Sequence, residues 1–152
     1  MATTRQILNR YGKVLWSGEA ETVRDAIHAA IASRADLTRA VLTPVRDDLW
    51  AVLSSAPAEV PALLAALKEG RVDGSTYSGE CACLVGTLAN ARGCDYAAIT
   101  GLRPNSSRPA EMFFLAILPG QTPENHEPSR IAAAWVEEWL ANVRGLLALE
   151  GR

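Results

Sequence analysis

Two short apolar runs, Ile7-Leu8 and Val14-Leu15-Trp16, flank Gly12 within residues 6–16. This pattern predicts a β-hairpin whose turn uses the positive φ that Gly12 tolerates. The period then changes. Val23, Ala26, Ile27, Ala30 and Ile31 recur at helical spacing, and Thr22 with Asp25 three residues on reads as a capping box. Residues 35–44 carry two Ala-Asp-Leu-like pentapeptides, too few to stack as repeats, and are read as a helix end and a linker. Residues 47–53 predict a short helical or extended piece carrying Trp50. A helix follows Pro57, with Val60, Leu63, Leu64 and Leu67 on one face, Pro61 in its first turn and Gly70 as its stop.

The second half follows the same grammar. Residues 70–79 are polar and Gly-rich, a surface loop suited to function. Residues 81–92 predict a helix ended by Gly93, with Leu84, Val85 and Leu88 on its apolar face. Residues 103–108 form a second polar loop before Pro109, a residue that suits a first helical position. Phe113 to Leu118 fits a buried strand as well as a helix. After a Pro-rich loop at 119–128, a last helix is expected over 129–149, with Ala132, Val136, Trp139, Leu140, Val143 and Leu147 as its stripe. Trp135 and Trp139, one turn apart, are read as core residues. The fold class is therefore α+β and mainly helical: an N-terminal hairpin and four or more helices around one core, with the 81–92 helix facing the last one. A single domain over 1–152 divides into a hairpin (1–19), a helical part (20–70) and a C-terminal part (71–152).

Charge narrows the partners. Fifteen Lys and Arg against seventeen Asp and Glu give a net charge of -2, which disfavours nonspecific binding to nucleic acid. No apolar run approaches the roughly 18 residues that span a bilayer, and residues 1–10 lack a signal-peptide core, so a cytoplasmic protein is expected. Three cysteines fit free thiols in a reducing compartment better than a disulfide framework.

Chemistry has few footholds. On a helix, Cys81 would share its face with Leu84, Val85 and Leu88 and point inward, leaving Cys83 the more exposed and reactive thiol. Cys81, Cys83 and Cys94 with His126 have the composition of a three-Cys, one-His zinc site, but residues two apart on a helix diverge by about 200°, so no metal is expected. His28 reads as a surface residue and His126 as a solvated loop residue, so neither supports a general base. No catalytic residue and no cofactor is predicted.

The best candidate binding site is anionic in preference. If Pro109 opens a helix, Ser106 and Ser107 are its natural caps, and Arg103 and Arg108 flank the free backbone N–H groups. Ser75 and Tyr77 of the earlier loop are placed opposite, with hydroxyls to donate and a ring to stack. On this reading Arg108→Ala weakens anion binding and barely changes stability.

Two resemblances bear on function. Glu80-Cys81-Ala82-Cys83-Leu84-Val85 resembles the Asp-Cys-Ser-Gly-Leu-Val motif of NlpC/P60 cell-wall peptidases, which would imply a cysteine hydrolase. Glu80, Ala82 and Cys83 depart from it, and no downstream histidine lies in a strand pattern. Residues 72–87, 104–114 and 119–125 together resemble uncharacterised bacteriophage and prophage proteins, which share the last half to two-thirds of this chain. That resemblance, and a likeness to Thoeris anti-defence sponges, implies a host-cytoplasmic binding protein that sequesters an anionic, nucleotide-like ligand, or an inhibitor of a host defence protein. A homo-oligomer is compatible with both.

Overall fold

Strand pairing begins at Thr3. In the computed structural model, which describes residues 2–8, 14–32 and 39–151, β1 (Thr3–Leu8) and β2 (Val14–Ala20) form an antiparallel hairpin. The register runs from Thr3 opposite Ala20 to Ile7 opposite Trp16, then shifts so that Leu8 faces Val14. The expected turn at Gly12 lies outside the described residues. The capping box forms as expected at the start of α1 (Val23–Ala32): Asp25 N donates to Thr22 Oγ1 at 3.1 Å, and Thr22 N donates to Asp25 Oδ2 at 3.0 Å.

The next helix departs from the sequence reading. Residues 35–38 of the expected linker lie outside the described residues, and from Arg39 onward the linker and short piece are one helix, α2 (Arg39–Ser55), with Pro44 inside it. Proline there removes one backbone hydrogen bond. Leu49, Val52 and Leu53 nevertheless bury almost completely, with Leu42 and Val45 packed against the same core. That apolar burial, roughly 1.5–3 kcal/mol for each large side chain, outweighs the interruption.

A short 3₁₀ turn (Pro57–Glu59) leads into α3 (Val60–Lys68), whose Val60, Leu63 and Leu67 are fully buried. Gly70 ends it as expected, at φ 68°, with Gly70 N donating to Leu67 O and Arg71 N to Ala66 O. After the loop come α4 (Leu84–Arg92), closed by left-handed Gly93, α5 (Pro109–Phe114) and α6 (Glu127–Glu150).

Three further corrections concern packing. Phe113 and Phe114 are helical, but the chain turns from Leu115 onward, so residues 113–118 are neither a strand nor a full helix. The 81–92 helix does not face the last one across the core; α3 packs against both α4 and α6. Leu147 is exposed, because α6 runs past the body of the protein and also leaves Leu146 and Leu149 in solvent. Among the described residues, no single helix is long and apolar enough to cross a membrane.

Candidate functional site

The loop between α3 and α4 is polar in sequence yet pinned in place. Asp73 N donates to Ala82 O, Gly74 N to Ile117 O at 2.8 Å, and Cys83 N to Thr76 O at 2.7 Å. Gly74 is required by this arrangement, since a Cβ there would lie 1.8 Å from Phe114 O. The pairing of Val72 with Ala82 holds Cys81 to Cys83 out of the helix, so α4 starts three residues later than expected. The thiol order reverses with it. Cys83 is buried and Cys81 only half-buried, the opposite of what a helical 81–92 implies. Burial pushes the Cys83 thiol up to about 11, with the nearby Glu111 carboxylate adding to the effect. At neutral pH it is a protonated thiol.

This loop does meet the start of α5, as the sequence suggested. Ser75, Tyr77 and Ser106 line a cavity of about 140 Å³ together with Cys83, Glu111 and Leu115. Its charged group, however, is an acid. Buried Glu111 accepts from Tyr77 Oη at 2.7 Å and from Asn105 N at 2.8 Å. Burial, followed by this hydrogen bond to Glu111, drives the Tyr77 phenol strongly upward. One face of Tyr77 stacks on Tyr96, with centroids 5.1 Å apart. Ser75 Oγ donates to Asp73.

Arg103, Ser107 and Arg108 do not line this cavity. Arg103, Ser106 and Ser107 are solvent-exposed. Neither serine caps α5: its N-cap is Arg108, which makes no side-chain cap, and Ser107 N instead donates to Asn105 Oδ1. Arg108 does face an anion, but that anion is the protein's own. Its Nη2 donates to Asp48 Oδ1 at 2.8 Å and its Nε to Asp48 Oδ2 at 3.0 Å, while Ala110 N donates to Asp48 Oδ2 at 2.9 Å. Burial works against the Asp48 charge, but the hydrogen bonds from Arg108 and Ala110 hold its carboxyl below the usual range. Sequence position gave no sign of this partner, sixty residues upstream.

A second cleft, open and about 290 Å³, lies between α2 and α6. Thr43 and Arg46 of α2 face Arg130, Ile131 and Trp135 of α6 across it. The Arg46 guanidinium sits 5.0 Å over the Trp50 ring. Among the described residues its Nε, shielded from solvent, has no hydrogen-bond partner, and its Nη2 lies 3.6 Å from Oδ1 of exposed Asp47. Arg130 pairs with Glu127 at the surface. Trp135 packs its ring at a tilt on Phe113. Sequence reasoning missed this cleft because it took Trp135 as core and residues 35–44, which include Leu42 and Thr43 of the lining, as a helix end and linker.

Among the described residues, no group of three or more His, Cys, Asp or Glu side chains is arranged to hold a metal ion. Comparison with known proteins finds no family model, curated protein or solved structure that matches this chain.

Proposed function

We propose that the protein is a non-enzymatic binding protein that sequesters a small anionic ligand of nucleotide type, and that the anionic group lies in the cleft between α2 and α6. The carrying observation is the Arg46 guanidinium, whose shielded Nε has no acceptor among the described residues. An unsatisfied buried donor costs about 1–3 kcal/mol, which a turn of the Arg46 side chain that brings Nε to an anion in the cleft would recover. Arg130 stands opposite, and its exposed pair with Glu127 is worth at most about 1 kcal/mol, so a phosphate can displace the carboxylate. Arg108 is poorly suited to that exchange, because Asp48 is held by two guanidinium nitrogens and a backbone N–H in a half-buried setting. Trp135 supplies an apolar face for a ring. The sequence resemblance to phage proteins makes a host-defence nucleotide signal the natural cargo.

Binding is favoured over cysteine hydrolysis because Cys81, which stands at the nucleophile position of the NlpC/P60 motif, lies in the loop ahead of α4 and lacks the helix N-terminus that would activate its thiol. A direct protein-inhibitor reading draws support from Leu146, Leu147 and Leu149, exposed together on the projecting end of α6. Calorimetry against a panel of linear and cyclic nucleotides separates the two. A ligand should bind wild-type protein, and Arg46→Ala should weaken it about tenfold to a hundredfold while folding is unchanged. Affinity unaltered in Arg46→Ala/Arg130→Ala would remove the cleft from consideration, and no binding across the panel would favour a protein partner.

A further inference from the structure

Two histidines that carry no motif and stand 98 residues apart are brought together. His28 on α1 and His126, the N-cap of α6, place their Nε2 atoms 3.0 Å apart. Neither sits where the sequence suggested, because both are half-buried against the turn that follows α5. His28 Nε2 lies 2.7 Å from Ala116 O. One turn earlier on α1, Arg24 Nε donates to Leu115 O, so α1 covers two successive carbonyls at the end of α5. His126 Nδ1 lies 2.9 Å from Ser129 Oγ, a fully buried hydroxyl.

Proton accounting shows what is unusual here. A carbonyl only accepts, so His28 Nε2 carries the hydrogen it donates to Ala116 O. Ser129 Oγ donates its own hydrogen to Gln121 O at 3.5 Å, so it accepts from His126 Nδ1–H, and His126 Nε2 is left as an acceptor facing the same hydrogen as Ala116 O. Three electron-rich atoms, two imidazole nitrogens and a carbonyl oxygen, thus converge on one proton. A metal ion satisfies all three better than a shared proton does. With metal–nitrogen bonds of 2.0–2.1 Å, neighbouring ligands lie about 2.9 Å apart at a right angle and about 3.4 Å apart at the tetrahedral angle. The observed 3.0 Å between the imidazoles falls between these values, while the 2.7 Å from His28 Nε2 to Ala116 O is shorter than both, so the carbonyl must draw back by about 0.2 Å to serve as a ligand. The Ser129 contact is also the outer hydrogen bond that fixes the tautomer of a ligating histidine.

We propose that His28 and His126 form a binding site for a divalent, imidazole-preferring first-row metal ion such as zinc, with Ala116 O as a third donor and water completing the shell. Binding requires only that the His28 proton move from Nε2 to Nδ1, so no net proton is released. The ion would clamp α1, and with it the hairpin, onto the start of α6. The site adjoins the cleft between α2 and α6 through the first turn of α6, where Arg130 N donates to His126 O at 3.0 Å.

The test is titration of ZnCl2 into untagged protein, followed by calorimetry and thermal unfolding. One site per chain with micromolar affinity is expected, with a rise in Tm of about 5 °C at saturating zinc that EDTA reverses. His28→Ala and His126→Ala should each weaken binding at least tenfold. Nitrogen-15 imidazole spectra of wild-type protein give a reading that needs no variant: the Nε2 resonances of both histidines should shift together at one equivalent of zinc. Absence of binding up to about 100 µM zinc, binding undiminished in both variants, or a zinc site that leaves both imidazole resonances unmoved would each overturn the proposal.

Discussion

Asp48 occupies the position at the start of α5 that an external anion would need, bridging the Arg108 guanidinium and the Ala110 N–H across sixty residues of chain. The positive potential that makes residues 103–109 look like a phosphate site is present, and it is used internally to fasten α5 to α2. A change at Arg108 therefore acts on stability. Arg108→Ala leaves a half-buried carboxylate with one donor and should cost about 2 kcal/mol in urea unfolding, with Asp48→Ala costing a similar amount. The double variant should be less destabilised than the sum of the two, because each single change already removes the shared interaction. An additive cycle would mean the pair contributes nothing.

The same carboxylate gives the protein an acid-sensitive term. Its folded-state pKa lies below its ordinary value of 3.8, so the unfolded chain takes up a proton first as pH falls. The stabilisation is fully present above the ordinary value and is lost progressively as pH drops below it and through the folded value. Asp48→Asn should lower stability at pH 6 and make unfolding less dependent on pH below about 4. Parallel stability curves for the two proteins over that range would contradict this.

The features legible in the sequence are those written within a few residues. Thr22 and Asp25, Gly70, Gly93 and Pro109 each announce a helix end through their own backbone chemistry, and the apolar stripes of α1, α3 and α6 follow from periodicity. The hairpin and the mainly helical α+β class follow from the same signals. What escaped was set by distant partners. Cys81 to Cys83 fit a helix by pattern, but the strand-like bridge from Val72 to Ala82 claims their backbone first. Pro44 argued for a break, and only the burial of Leu49, Val52 and Leu53 keeps α2 whole. At the candidate site, Ser75, Tyr77 and Ser106 line one cavity as their loops suggest, while Glu111 in its wall and Asp48 against Arg108 bring acidic partners that spacing alone could not pair.

Thiol labelling checks the altered register around α4 directly. Cys81 is half-buried in the loop, whereas Cys83 is packed in the core with its thiol raised to about 11. Iodoacetamide reacts with thiolate, so at pH 7.5 native protein should be modified at Cys81 well before Cys83, and Cys83 should react only on global unfolding. Mass spectrometry of the tryptic peptides resolves the order. Faster labelling of Cys83 would place the segment in a helix after all.

Two glycines report how closely the loop between α3 and α4 is packed. A Cβ at Gly74 would fall 1.8 Å from Phe114 O, and one at Gly86 would fall 2.2 Å from Tyr77 O, both backbone atoms with little room to move. Gly93 is different. It sits at φ 75° with nothing within 4 Å of its would-be Cβ, so alanine there meets only the conformational penalty of the left-handed region. Gly93→Ala should cost about 1–2 kcal/mol. Gly74→Ala and Gly86→Ala should each cost more, about 3 kcal/mol or above, because the backbone of α5 or of the loop must shift and core packing is lost with it. Chemical denaturation of the three variants ranks them. If Gly74→Ala proved no worse than Gly93→Ala, the loop would not be pressed against the end of α5, and the cavity lined by Tyr77, Cys83 and Glu111 would lose its wall.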